Sequence, residues 1–116
     1  MRNDNRIETR HRKRVQLKYG LEAASRIGFT EDVSDEGFFI KTEVVERPGA
    51  LMQFELTMPD GVFVELVGRV RWAKKVPAKL IHRIKGGMGI KIVHIKSGES
   101  AYRSFCEALN FRYGPM

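Results

Sequence analysis

A single cysteine, Cys106, is the chain's whole thiol content. No internal disulfide can form, so packing and hydrogen bonds must hold the fold, as suits a reducing, cytoplasmic setting. No apolar run approaches the roughly 20 residues that a membrane-crossing helix needs. Residues 1–13 are charged and polar, with Ile7 as an isolated aliphatic. They lack the apolar stretch of a secretory signal and the surface needed to order themselves, so they are expected to form a flexible arm. His11, His82 and His94 have neither metal-ligand spacing nor cysteine partners. Residues 69–96 contain no acid at all, although nine lysines and arginines fall there. Repeats and low-complexity tracts are also absent.

What remains is a chain of 116 residues, 42% of them hydrophobic, which suits one modest core. The expected division is an arm over residues 1–13 and a single domain over residues 14–113. Net charge is +7, and residues 2–18 alone carry seven cations against Asp4 and Glu8. A small acidic cluster, Glu31, Asp32, Asp35 and Glu36, separates this arm from the acid-free block. Such a field favours phosphate-bearing partners without choosing among nucleotide, nucleic acid and anionic lipid.

The apolar pattern from Val15 onward has a period of two. Val15, Leu17 and Tyr19 mark a first strand, Ile27 and Phe29 a second, and Phe38-Phe39-Ile40 the start of a third. Residues 50–58 follow the turn at Pro48-Gly49, with Leu51, Phe54 and Leu56 as expected core positions and a bulge near Gln53. Pro59-Asp60-Gly61 turns the chain into residues 62–72, where Val62, Val64, Leu66, Gly68, Val70 and Trp72 share one face. Residues 74–87 have no clear period and suggest an exposed basic loop. Residues 88–95 form a last strand, and residues 97–111 a helix with Ser97 as N-cap and Tyr102, Phe105 and Leu109 on its apolar side. Cys106, beside Phe105, is expected to be a buried structural thiol. Six short strands and one amphipathic helix predict an antiparallel β-barrel whose open end the helix covers.

Two polar signals stand out against this frame. Arg10-His11-Arg12-Lys13-Arg14 offers two guanidinium forks four residues apart, roughly 13 Å if extended. Each fork can bond phosphate oxygens or a guanine's O6 and N7. Arg6 and Arg10 share the same spacing, but Arg14 abuts the first strand, which favours the Arg10–Arg14 register. Asp32-Val33-Ser34-Asp35-Glu36-Gly37 supplies a carboxylate able to accept paired N–H donors, a hydroxyl, and a glycine turn. The plainer alternatives are a solvated basic tail and an ordinary serine turn between strands. Ser34 has no histidine in its segment, so a hydrolase triad finds no support. Trp72 could stack on a base, but at the end of a core-facing alternation it is expected inside.

Taken together, these signals resemble the PilZ family of cyclic di-GMP receptors. The family pattern is R-x-x-x-R before the first strand and [D/N]-x-S-x-x-G between the second and third. Gly37-Phe38-Phe39-Ile40, Pro48-Gly49, Gly68-Arg69-Val70-Arg71-Trp72 and Gly87-Met88-Gly89-Ile90-Lys91-Ile92 extend the likeness over nearly the whole chain. The resemblance implies a six-stranded antiparallel barrel with a C-terminal helix. It also implies a non-catalytic receptor without metal or cofactor, whose ligand is cyclic di-GMP.

Arg10, Arg14, Asp32, Ser34 and Gly37 would line that ligand, with Arg6, Arg12, Lys13 and Gly89 as further candidate contacts. Thr9 stands where some members carry another arginine, which favours one ligand per chain over a stacked pair. With a single domain, output would pass through a downstream protein partner or an oligomer, in motility, polysaccharide export, adhesion or transcription. Two rival readings are a general single-strand nucleic-acid binder and a ligand-free scaffold working through protein contacts. The nucleic-acid reading lacks an exposed aromatic platform, because the aromatics alternate into the core.

Overall fold

The computed structural model describes residues 10–113, with side chains through Phe111; Arg6 and the rest of residues 1–9 lie outside the described residues. In chain order the elements are β1 (His11–Arg12), β2 (Gln16–Gly20), β3 (Arg26–Val33), β4 (Gly37–Lys41), β5 (Leu51–Thr57), β6 (Phe63–Lys74), β7 (Gly87–Ser97) and α1 (Glu99–Tyr113). A short 3-10 turn spans Ala78–Leu80. All strand pairs are antiparallel, in the order β3-β2-β5-β6-β7-β4, and β4 pairs back onto β3. The six expected strands therefore close into a barrel with no free edge in the ring. β1 is an extra strand that pairs with the end of β3, in line with β2 and just before it.

Alternation dictates the interior. Leu17 and Tyr19 of β2, Phe38 and Ile40 of β4, Met52, Phe54 and Leu56 of β5, and Val64, Leu66 and Val70 of β6 form one buried cluster with Met88 and Ile90 of β7. Tyr102, Cys106 and Leu109 of α1 join it, so the helix packs its apolar side on the barrel as expected. At Gly49, φ is +95°, a conformation that the Pro48-Gly49 turn needs and glycine accepts.

Several details differ from the sequence expectation. In β5 the register with β6 is unbroken from Leu51 to Thr57, so there is no bulge near Gln53. Met52 takes the inward place and Leu51 is exposed. Val62 lies in the turn before β6 and is also exposed. Ile27 and Phe29 sit on the outer side of β3, because Gly28 gives its inward space to the Tyr19 ring and Thr30 turns in to bond backbone. Thr30 Oγ1 donates to the Lys13 carbonyl (2.6 Å) and accepts the Val15 N–H (2.8 Å). Ser97 ends β7 rather than capping α1; the Gly98 carbonyl accepts the Tyr102 N–H at 3.0 Å and starts the helix. The described end of the arm is not loose either. His11 and Arg12 pair with Val33 and Asp32, and the Lys13 N–H donates to the Glu31 carbonyl at 3.1 Å.

Candidate functional site

Two irregularities in the sheet decide which polar groups face outward. A register shift lies in β3 between Thr30 and Asp32. Strict alternation after Thr30 would send Asp32 inward; the bulge instead turns Asp32 out and Val33 in. A second shift lies in β6 between Val70 and Trp72. It ejects Trp72, which is 43% exposed rather than buried.

The consequence is one rung of residues running across the outside of four barrel strands and the added β1. Arg12 faces Asp32, Asp32 faces Phe39, Phe39 faces Gly89, and Gly89 faces Trp72. Gly89 is the gap that makes the rung work. A Cβ there would lie 2.2 Å from Trp72 Nε1, so the indole lies directly over this glycine. Trp72 stacks on Phe39 with ring centroids 5.1 Å apart and an interplanar angle of 16°. Phe39 is 2% exposed, hence a fixed floor.

Beside this floor is a cleft of about 200 Å³ lined by Arg10, Glu36, Arg71, Trp72, Gly89, Ile90 and Lys91. The Arg10 guanidinium donates to Asp32 Oδ1, which fixes the arm over β3. Lys91 Nζ lies 3.7 Å from Glu36 Oε1. Three cations and one acid around an exposed indole form a site for a flat ring that carries negative charge.

The sequence candidates separate into groups. Arg10, Asp32 and Gly89 come together here. Arg14 also faces the outside of β3, but its guanidinium carbon sits 3.7 Å from the Phe29 ring centroid. Arg12 at the end of β1 and Lys13 just after it have exposed side chains. Ser34 and Gly37 do not open toward the cleft. Ser34 Oγ accepts the N–H groups of Glu36 and Gly37, both at 3.2 Å, and donates to the Gly37 carbonyl at 3.3 Å. Gly37 is needed for close approach rather than for φ: a Cβ would lie 1.9 Å from the Ile90 carbonyl oxygen. Arg71, Trp72, Lys91 and Glu36 were not among the sequence candidates. Arg71 and Lys91 could have been found from alternation and charge; Trp72 depends on the bulge, which has no sequence signal.

Helix α1 ties the two segments to the barrel. Tyr102 Oη donates to the Ser34 carbonyl (2.6 Å), and Arg103 donates to the Asp35 carbonyl (2.6 Å). His11 Nε2 lies 2.8 Å from Asn110 Oδ1. Burial pushes the Tyr102 phenol far above its ordinary value, so it stays a neutral donor. Burial likewise pushes the Cys106 thiol up to about 12, which keeps it protonated and inert.

The PilZ domain model matches residues 2–108 of this sequence. The chain belongs to the PilZ domain family. The family comprises non-catalytic receptors that typically bind cyclic di-GMP. Among solved structures, the Bacillus subtilis inhibitor of motility (MotI/DgrA) superposes with a TM-score of 0.73 at 14% identity, over 97% of this chain and 54% of that one. At that identity the likeness is one of fold, and this PilZ chain spans about half the length of its structural relative. No curated protein sequence matches. No helix among the described residues is long and apolar enough to cross a membrane.

Proposed function

We propose that this PilZ domain binds cyclic di-GMP on the outer rung between β1 and β6, and hands that state to a downstream protein partner. The observation that carries the reading is the direct junction of the two motif segments: β1 pairs with β3, and Arg10 bonds Asp32 beside the cleft. Asp32 is oriented outward as an acceptor for guanine N–H groups, and Arg10 lies where a phosphate or the guanine O6/N7 edge would meet it. Trp72, backed by Phe39, offers the stacking surface for a base. Arg14, Arg71 and Lys91 supply further positive charge for the second phosphate. The cleft is smaller than the roughly 300–1,000 Å³ usual for small-molecule sites. A dinucleotide would therefore extend beyond it, toward the exposed side chains of Arg12 and Lys13, with Arg6 as a further candidate contact. Ser34 and Gly37 act in this reading by fixing the turn, with their backbone rather than side chains near the ligand.

A general single-strand binder needs a row of exposed aromatics. Trp72 is the one aromatic ring lining the cleft, and the other exposed rings, Phe63 and Phe111, are not part of its lining, which favours a defined nucleotide. The test is calorimetric titration with cyclic di-GMP, alongside fluorescence anisotropy with short single-stranded DNA and RNA. Saturable binding near one ligand per chain, with weak salt-sensitive binding of the oligonucleotides, is the expected result. Absence of heat with cyclic di-GMP would leave the scaffold reading standing and end this one.

A further inference from the structure

The acid-free stretch carries a second feature besides the cleft. After β6 the chain forms a compact double turn before β7. The Leu80 N–H donates to the Pro77 carbonyl (2.8 Å), and the N–H groups of Arg83 and Ile84 both donate to the Leu80 carbonyl (2.9 Å). Val76 is 3% exposed and anchors the base, against Gly86, where a Cβ would lie 2.5 Å from a Val76 methyl. The loop is thus held in shape. Lys74 at the end of β6 and Lys75, Lys79, Arg83 and Lys85 in the loop are all exposed. The ion pairs among the described residues lie elsewhere, at Arg10–Asp32, Lys91–Glu36 and Arg103–Glu99. Lys85 Nζ sits over the Phe39 ring at 4.5 Å, and the other four are exposed with no ion pair or ring contact among the described residues. Among them Ile84 is exposed, with Leu80 and Ile81 half-buried.

We infer that this loop docks the domain on an anionic lipid surface. Charge complementarity calls for an anionic occupant, and the composition selects its kind. Four of the five cations are lysines, a residue depleted from protein interfaces, and the loop has no aromatic to serve as an interfacial anchor of the protein–protein type. Residues 75–86 themselves hold no Phe, Tyr or Trp, the rings on which successive bases of a single strand stack. A diffuse lysine field with an exposed aliphatic, Ile84, suits a lipid headgroup layer, where the ammonium groups meet phosphates and Ile84 enters the acyl boundary.

The test is flotation of the full chain with phosphatidylcholine vesicles and with vesicles holding roughly one third phosphatidylglycerol. The parent should partition onto the anionic vesicles alone, and less so as salt is raised. Each neutralised cation of this patch should lower the partition about fivefold, so K74Q/K75Q/K79Q together should lower it about a hundredfold. I84S should lower it further, with an unchanged melting curve in each variant. R12Q/K13Q on the arm serves as the comparator and should retain most of the binding. Failure of the parent to float, or equal flotation of the loop variant, overturns the inference. So does vesicle binding lost in the arm variant but kept in the loop variant. Binding to polyglutamate or RNA with no vesicle binding would assign the loop another occupant and equally overturn it.

Discussion

Replacing Arg10 with alanine should separate the fold from its ligand. In the free protein, the Arg10 side chain is 39% exposed and the Asp32 side chain 17%. A pair so open to solvent is screened and contributes about 0.2–1 kcal/mol. Its loss should lower the melting temperature by no more than roughly 5 °C for a domain of this size. In the complex, the same guanidinium would make charge-assisted bonds to phosphate or guanine, contributing about 1.5–3 kcal/mol. Arg10→Ala should therefore weaken cyclic di-GMP binding roughly tenfold to a hundredfold while the free domain stays folded.

Asp32→Ala should do likewise, and the double variant says how. Were both residues in separate contact with ligand, their losses would nearly add. Were Asp32 only a holder for Arg10, the double variant would bind like Arg10→Ala alone. Calorimetric titration with parallel thermal melts measures both quantities. If both single variants bind as the parent does, or if affinity falls only in step with a collapse of the melting temperature, the site reasoning is refuted.

Other outcomes follow from the same geometry. Trp72→Ala should weaken ligand binding about fivefold to a hundredfold through lost stacking, and Gly89→Ala, which displaces the indole, should do the same and shift the emission of this single tryptophan. Gly37→Ala should destabilise the free domain by more than about 1 kcal/mol, seen as a lower melting temperature, because its methyl would overlap the Ile90 carbonyl. Tyr102→Phe should cost about 1–3 kcal/mol in denaturant melts, since the buried Ser34 carbonyl loses its phenolic partner. Cys106 titrates at 9.0 unfolded and about 12 folded, so its stabilising effect is intact below pH 9 and lost progressively from there to about pH 12. Stability should fall by up to about 1.4 kcal/mol per pH unit for this group, and Cys106→Ala should flatten that slope.

The barrel was legible because strand alternation is a local signal with a global meaning. Leu17 and Tyr19, Val64 and Leu66, and Met88 and Ile90 each point inward in steps of two. What escaped was wherever that step breaks. The bulge between Val70 and Trp72 reverses the last positions of β6, and nothing in Gly68-Arg69-Val70-Arg71-Trp72 announces the extra residue. The assignment of Leu51 to the core, with a bulge near Gln53 where the period breaks before Phe54, shows the converse: two adjacent aliphatics, Leu51 and Met52, fit either phase until the partner strand fixes the register. For the arm, low apolar content suggested freedom. Its order at His11 and Arg12 comes from backbone pairing to an exposed flank of β3, a contact that composition does not reveal.

The spacing within Asp32-Val33-Ser34-Asp35-Glu36-Gly37 has a mechanical meaning beyond any list of contacts. The bulge at residue 31 reverses the strand phase, so Asp32 turns out toward Arg10 while Val33 enters the core. Ser34 then closes the bend by binding the N–H groups of Glu36 and Gly37, which fixes where β4 begins. Gly37 lets that strand come against Ile90 of β7, and only this approach brings Glu36 within reach of Lys91 on the cleft wall. In the proposed site, one residue of the motif presents chemistry and two build the wall it stands on. Loss of the builders should therefore register first in the free protein, and loss of the presenter first in the bound one.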